Sequence, residues 1–223
     1  MKAILTSTKL KDVKGSVELV EKMTGKSRKD INVAIINEAS AVEIGDQRWL
    51  IDTLKDLADS FGGNIEVVHL LALSADKICE HISTADMLFV LGGNTDWLKI
   101  VFDKTGFSDI LQEILKDKLY VGSSAGSMII GHRPSDESQD KSYGEHENFG
   151  VKSYLDIMNF SILPHFHACY LKSDGDDWAI EESISVDYPI YAISDNAAVV
   201  VDDNDIYFIG SDYMKIVKGK TSF

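Results

Sequence analysis

Short, continuous apolar runs recur along the chain with amphipathic segments between them, and this alternation constrains the fold more than any single motif. Residues 3–6, 31–36, 65–70, 87–91 and 119–122 are rich in Ile, Val and Leu. They lack in/out alternation, which predicts strands buried on both faces of a parallel sheet. Residues 16–23, 46–61, 74–84 and 97–116 carry helical spacing instead. In Trp49, Leu50, Thr53, Leu54, Leu57 and Phe61 the apolar positions recur three and four apart, predicting one buried stripe. Ser74 suits a helix start and Gly62 a helix stop. Strand–helix repetition of this kind predicts a doubly wound, mostly parallel α/β sheet with right-handed crossovers.

After residue 150 the pattern changes. Residues 157–163 and 190–193 read as strands around a helix at 178–185, and 197–201, 205–209 and 214–217 as antiparallel strands. Asp202-Asp203-Asn204 and Gly210-Ser211-Asp212 supply the turns of this C-terminal β-hairpin region. No linker, repeat or low-complexity tract divides residues 1–223, so one domain is expected.

A formal net charge of −14 argues against nucleic acid or an anionic membrane as partner, since both would repel it. No stretch approaches the roughly 18 uninterrupted apolar residues of a membrane span. Cys79 and Cys169 lie far apart without metal-type spacing, as expected for reduced thiols in the cytoplasm.

Three motifs carry chemistry. Gly122-Ser123-Ser124-Ala125-Gly126 fits G-x-S-x-G between a strand-like run and a helix-like one. That is the setting of a nucleophile elbow, where small flanking residues let the central hydroxyl, here Ser124, project above the sheet. Gly92-Gly93-Asn94-Thr95 closes the preceding strand, where backbone amides can approach a ligand closely. Gly62-Gly63-Asn64 repeats the tripeptide at a helix end, where glycine needs no further role. Pro164-His165-Phe166-His167 follows another apolar run and offers His165 as a general base. His165 and His167 could begin a metal site, but no third ligand has convincing spacing. The polar stretch 133–150 is long enough to be functional.

These motifs, in this order and spacing, resemble those of the serine peptidases that include dipeptidase E (aspartyl dipeptidase) and cyanophycinase. The likeness spans most of the chain and is strongest to bacterial dipeptidase-E-like members of about this length. It implies a fold similar to class I glutamine amidotransferase domains (flavodoxin-like), with serine replacing their cysteine. It further implies Ser124 as nucleophile, His165 as base, and the amides of Gly93 and Ala125 as the oxyanion hole, leaving Ser123 without a catalytic role. The implied substrate is a small peptide or isopeptide, with no cofactor and no metal, and a homodimer is left open. Dipeptidase E places its acid in an Asn-Asp-Met-Pro segment, which residues 134–141 lack. Asp140 lies nearest by spacing and Asp136 second, while Asp195 is a candidate from a later strand end. An N-terminal aspartate would call for a guanidinium, yet Arg28, Arg48 and Arg133 all precede His165, leaving Lys172 as a weaker substitute.

The alternative is a non-catalytic amidotransferase-like domain that binds a ligand or partner. An α/β-hydrolase esterase fits less well, because in that class the histidine comes last, after the acid.

Overall fold

β1 (Lys2–Thr6), β2 (Val33–Ile36), β4 (Met87–Val90) and β5 (Leu119–Ser123) bury nearly every residue, as their uninterrupted apolar sequences require of a sheet covered on both faces. Between them run α1 (Ser16–Thr24), α2 (Arg48–Ser60), β3 (Ile65–Val67), α3 (Ala75–Ser83), α4 (Thr95–Thr105) and α5 (Phe107–Ile114). The chain continues through α6 (Ala125–Met128), α7 (Asp136–Tyr143), β6 (Ser161–Leu163), α8 (Asp176–Ser185) and β7 (Ile190–Ile193). It ends in β8 (Ala197–Asp202), β9 (Asp205–Gly210), β10 (Tyr213–Val217) and β11 (Lys220–Ser222). The computed structural model describes residues 1–143, 149–168 and 176–222; the side chains at 140–142 and 176–178 lie outside that description.

The main sheet has the order β3-β2-β4-β5-β1-β8-β9. Its first five strands are parallel, and β8 and β9 join antiparallel at one edge. The chain winds outward from β1 to β3 and then returns through β4 and β5. Right-handed crossovers must therefore put the two sets of helices on opposite faces. Val20 and Met23 of α1 and Leu57 of α2 pack on one face, whereas Ile78, Leu98, Phe102 and Leu111 of α3 to α5 pack on the other. Such winding opens a crevice at the carboxyl ends of the central strands. Among the described residues no helix is long and apolar enough to cross a membrane.

Several details depart from the sequence expectation. Residues 97–116 form two helices, because Gly106 adopts a left-handed φ of 73° and ends α4. Phe102 and Phe107 then meet edge to face across the break, with centroids 4.7 Å apart. The antiparallel C-terminal strands do not form one hairpin region. β8 and β9 extend the main sheet, while β10 and β11 join a second sheet of order β11-β10-β7-β6. Gly62 is not a left-handed helix cap: α2 ends at an extended Phe61, and Gly62 lets the chain pass against the backbone of Lys29. Trp49 leaves the buried stripe, 38% exposed, because the first turn of α2 overhangs the crevice.

Residues 133–138, which follow α6, are anchored by ion pairs and hydrogen bonds. Arg133 pairs with Asp96 at the start of α4, and both side chains are at most a tenth exposed. Burial works against the guanidinium charge, but the hydrogen bonds that Arg133 donates to Asp96 and Asp136 outweigh it and raise the Arg133 pKa. Ser135 and Ser138 at the start of α7 both hydrogen-bond the buried Glu182 of α8. Removing one partner of a buried pair strands the other charge. Arg133→Met should therefore cost about 3 kcal/mol in urea unfolding. Asp136→Asn should cost under about 1 kcal/mol, because Asp136 is 64% exposed. Equal losses would contradict the assignment of the anchor to Asp96.

Candidate active site

Parallel pairing of β1 with β5 sets Thr6 beside Ser123, so the end of β1 lies against the turn that carries Ser124. Ser124 has φ 49° and ψ −113°, a conformation that costs a non-glycine residue about 1–3 kcal/mol unless its surroundings fix it. They do. The Ser124 N–H donates to the Thr6 carbonyl at 2.9 Å, and Ser127 Oγ donates to the same oxygen at 2.7 Å. Ser123 Oγ donates to the Thr8 carbonyl at 2.8 Å, so the second serine staples the turn. Gly126 is required by close approach, since a Cβ there would sit 2.0 Å from the Val90 carbonyl oxygen.

His165 reaches this turn from the segment after β6. Its Nε2 lies 3.0 Å from Ser124 Oγ, and its Nδ1 lies 2.7 Å from Asp195 Oδ1. Asp195 stands two residues past β7, the strand paired with β6. The backbone of His165 is also left-handed, at φ 62°. Its N–H donates to Ser7 Oγ at 3.0 Å, and that hydroxyl donates to the Ile193 carbonyl at 2.8 Å. Thr8 Oγ1 donates to the Asp195 carbonyl at 3.0 Å. The end of β1 thus touches all three residues of the series.

Of the three candidate carboxylates, Asp195 lies at His165 Nδ1. Asp136 instead faces Arg133 at 2.6 Å, which holds its carboxyl below the usual range. Asp140 lies on α7, and its side chain is outside the described residues, as are Lys172 and Cys169. His167 turns to a separate acid, with Nδ1 3.1 Å from Asp212. Gly93 has φ 127° and passes so close to Ala39 that a Cβ would sit 2.3 Å from its carbonyl oxygen.

A cavity of about 710 Å³ opens over Ser124 and His165, a size suited to a small ligand. Gly92, Gly93, Lys9, Glu43, Trp49 and Tyr143 contribute to its walls. Sequence reasoning missed Ser7, Thr8 and Lys9. The available signal was a run of hydroxyls, Thr6-Ser7-Thr8, at the carboxyl end of a buried strand.

A hydroxyl linked through an imidazole to a carboxylate is the arrangement with which serine hydrolases attack carbonyl groups. Comparison with known proteins narrows the class. Residues 3–209 match the model of Peptidase family S51, the dipeptidase E family, and the chain belongs to that family. It is 27% identical over 212 residues to an uncharacterized peptidase of Listeria monocytogenes, covering 92% of this chain and 97% of the relative. An uncharacterized peptidase of Listeria innocua is 28% identical, with 99% and 100% covered. The crystal structure of a putative peptidase E protein from Listeria monocytogenes superposes with a TM-score of 0.75 at 26% identity, covering 95% of this chain and 98% of that one. A peptidase from an acI-B1 actinobacterium shares the fold, with a TM-score of 0.68 at 15% identity and coverage of 99% and 96%. The molecule is a serine-type peptidase with a peptidase E-like α/β fold.

Ser7→Ala removes the hydroxyl that accepts from the His165 amide and donates to Ile193. Each lost hydrogen bond in a buried setting costs about 1–3 kcal/mol. The variant should stay folded but react with a fluorophosphonate about tenfold more slowly, as imidazole alignment loosens. Wild-type labelling rates in Ser7→Ala would show that this hydroxyl does not position His165.

Proposed function

We propose that the protein hydrolyses a short peptide or isopeptide amide through an acyl-enzyme on Ser124, with His165 as general base and Asp195 as orienting acid. The hydrogen-bonded series Ser124–His165–Asp195 is the observation that carries the reading. Ser124 Oγ attacks the carbonyl carbon while its proton passes to His165 Nε2. The amides of Gly93 and Ala125 receive the oxyanion. Among the described residues neither N–H has an intramolecular acceptor, which supports that role. Collapse breaks the C–N bond, and His165 returns the proton to the departing amine. Water then attacks the ester and gives its proton to His165; the C–Oγ bond breaks, His165 returns the proton to Ser124 Oγ, and the acid is released. Asp195 keeps Nδ1 protonated and stabilises the imidazolium without taking the proton itself. Residues 1–223 act as one hydrolytic domain in this reading, working in the cytoplasm.

Ser124→Ala and His165→Ala should abolish both hydrolysis and fluorophosphonate labelling while far-UV circular dichroism is retained. Asp195→Asn should lower kcat by about 10³–10⁴-fold, and Asp140→Asn should stay near the wild-type rate. Ser123→Ala should lose about 1 kcal/mol of stability and still label. Persistent labelling of Ser124→Ala would overturn the nucleophile. A larger loss in Asp140→Asn than in Asp195→Asn would overturn the acid.

A further inference from the structure

In the second sheet β7, the strand that leads to Asp195, lies between β6 and β10. β6 leads to His165 and His167, while β10 runs antiparallel to β7 and begins just after Asp212. Two imidazoles and two carboxylates therefore gather at one end of this sheet. The middle strand carries Asp195, and the strands on either side of it carry His167 and Asp212.

The Gly210-Ser211-Asp212 turn backs the segment that bears Asp195. The Ser194 N–H donates to the Asp212 carbonyl at 3.0 Å, and Ser194 Oγ donates to the Ser211 carbonyl at 2.8 Å. The Ser211 N–H donates to the Asn196 carbonyl at 3.1 Å. Asp195 is thus held against the turn by hydrogen bonds on both sides of it. The histidine segment has its own anchor, since the Phe166 ring is buried and its N–H donates to the Ile193 carbonyl at 3.0 Å. A side-chain contact then joins this segment to the turn: His167 Nδ1 lies 3.1 and 3.2 Å from the two carboxylate oxygens of Asp212. A carboxylate only accepts, so Nδ1 donates. The contact crosses the end of β7 from one neighbouring strand to the other.

Backbone conformation marks the same residues. Seven non-glycine residues among those described have a positive φ, and four of them are Ser124, His165, His167 and Asp212. Such conformations persist only where the surroundings fix them. Ser124 and His165 meet in the hydroxyl–imidazole contact, whereas His167 and Asp212 meet each other. His167 and Asp212 are 42% and 50% exposed, and an exposed pair adds little to stability. Its consequence lies in orientation.

We propose that His167 and Asp212 are a positioning pair: closed over the end of β7, they hold the turn bearing His165 against the segment bearing Asp195 and keep the imidazole aligned on Ser124. This rests on the acyl-transfer reading above. Neither residue is among the described residues that line the cavity, so the pair acts through His165 and Asp195.

A fluorophosphonate at varied concentration separates alignment from binding. His167→Asn and Asp212→Gly each remove one partner with a residue that tolerates left-handed backbone. Each should lower the limiting labelling rate about tenfold and leave the half-saturating concentration within about twofold. The double variant should be no slower than either single one, because the same contact is lost in all three. Asp212→Asn keeps an acceptor for Nδ1 and should hold the rate within about threefold of wild type. Urea midpoints should barely move. Wild-type rates in either single variant overturn the assignment, as do losses that multiply in the double variant. A changed half-saturating concentration at an unchanged limiting rate makes the pair a binding contact and overturns it too. The proton NMR signal of His165 Nδ1–H, followed in Ser124→Ala, reads the pair without any acylation. It should be sharp in that background and broadened when Asp212→Gly is added, and equal sharpness overturns the positioning role. Absence of labelling in wild type refutes the acyl-transfer reading, and the NMR comparison then decides the pair by itself.

Discussion

The Thr6 carbonyl oxygen, accepting from both the Ser124 amide and the Ser127 hydroxyl, is the contact on which the site depends. It exists because β1 is central: β5 pairs with it in parallel on one side and β8 antiparallel on the other. An edge strand could not serve this way, since its end would have neighbours on one side only. From this position the three residues Thr6, Ser7 and Thr8 reach the serine turn, the histidine backbone and the aspartate carbonyl. Geometry at three sequence-distant residues is thus referred to one short segment.

The second sheet does the complementary work. β6 and β7 run parallel and adjacent, so the chain segments leaving them emerge side by side. One carries His165 and the other Asp195, which explains a 2.7 Å contact between residues 30 apart in sequence. Both Ser124 and His165 adopt left-handed backbones. Conformations of that kind persist only where neighbouring contacts over-determine them, and here the neighbours are strand ends with fully buried flanks. Strain at these two residues is offset by the rigidity of the sheets beneath them.

Much of this was legible in the sequence. Uninterrupted apolar strands and single-faced helices pointed to a doubly wound sheet, and small residues at a strand-to-helix junction marked the turn at Ser124. His165 stood out at the end of a buried run. The contact of His165 with Asp195 did not, because sequence spacing carries no information about which strands pair. Asp140 and Asp136 are closer along the chain, yet Asp195 arrives through the pairing of β6 with β7. The role of Trp49 was hidden for a related reason: helical periodicity marks one face, but not where a helix overhangs its sheet. Lys9 resembled any surface lysine until the cavity enclosed it.

The most direct test of the account is a crystal structure of the protein after reaction with a peptidyl phosphonate. The account predicts a covalent bond from phosphorus to Ser124 Oγ, with the phosphonyl oxygen about 2.7–3.1 Å from the amides of Gly93 and Ala125. His165 should remain between that adduct and Asp195. Phosphorus attached to any other residue, or an oxygen turned away from both amides, would contradict it.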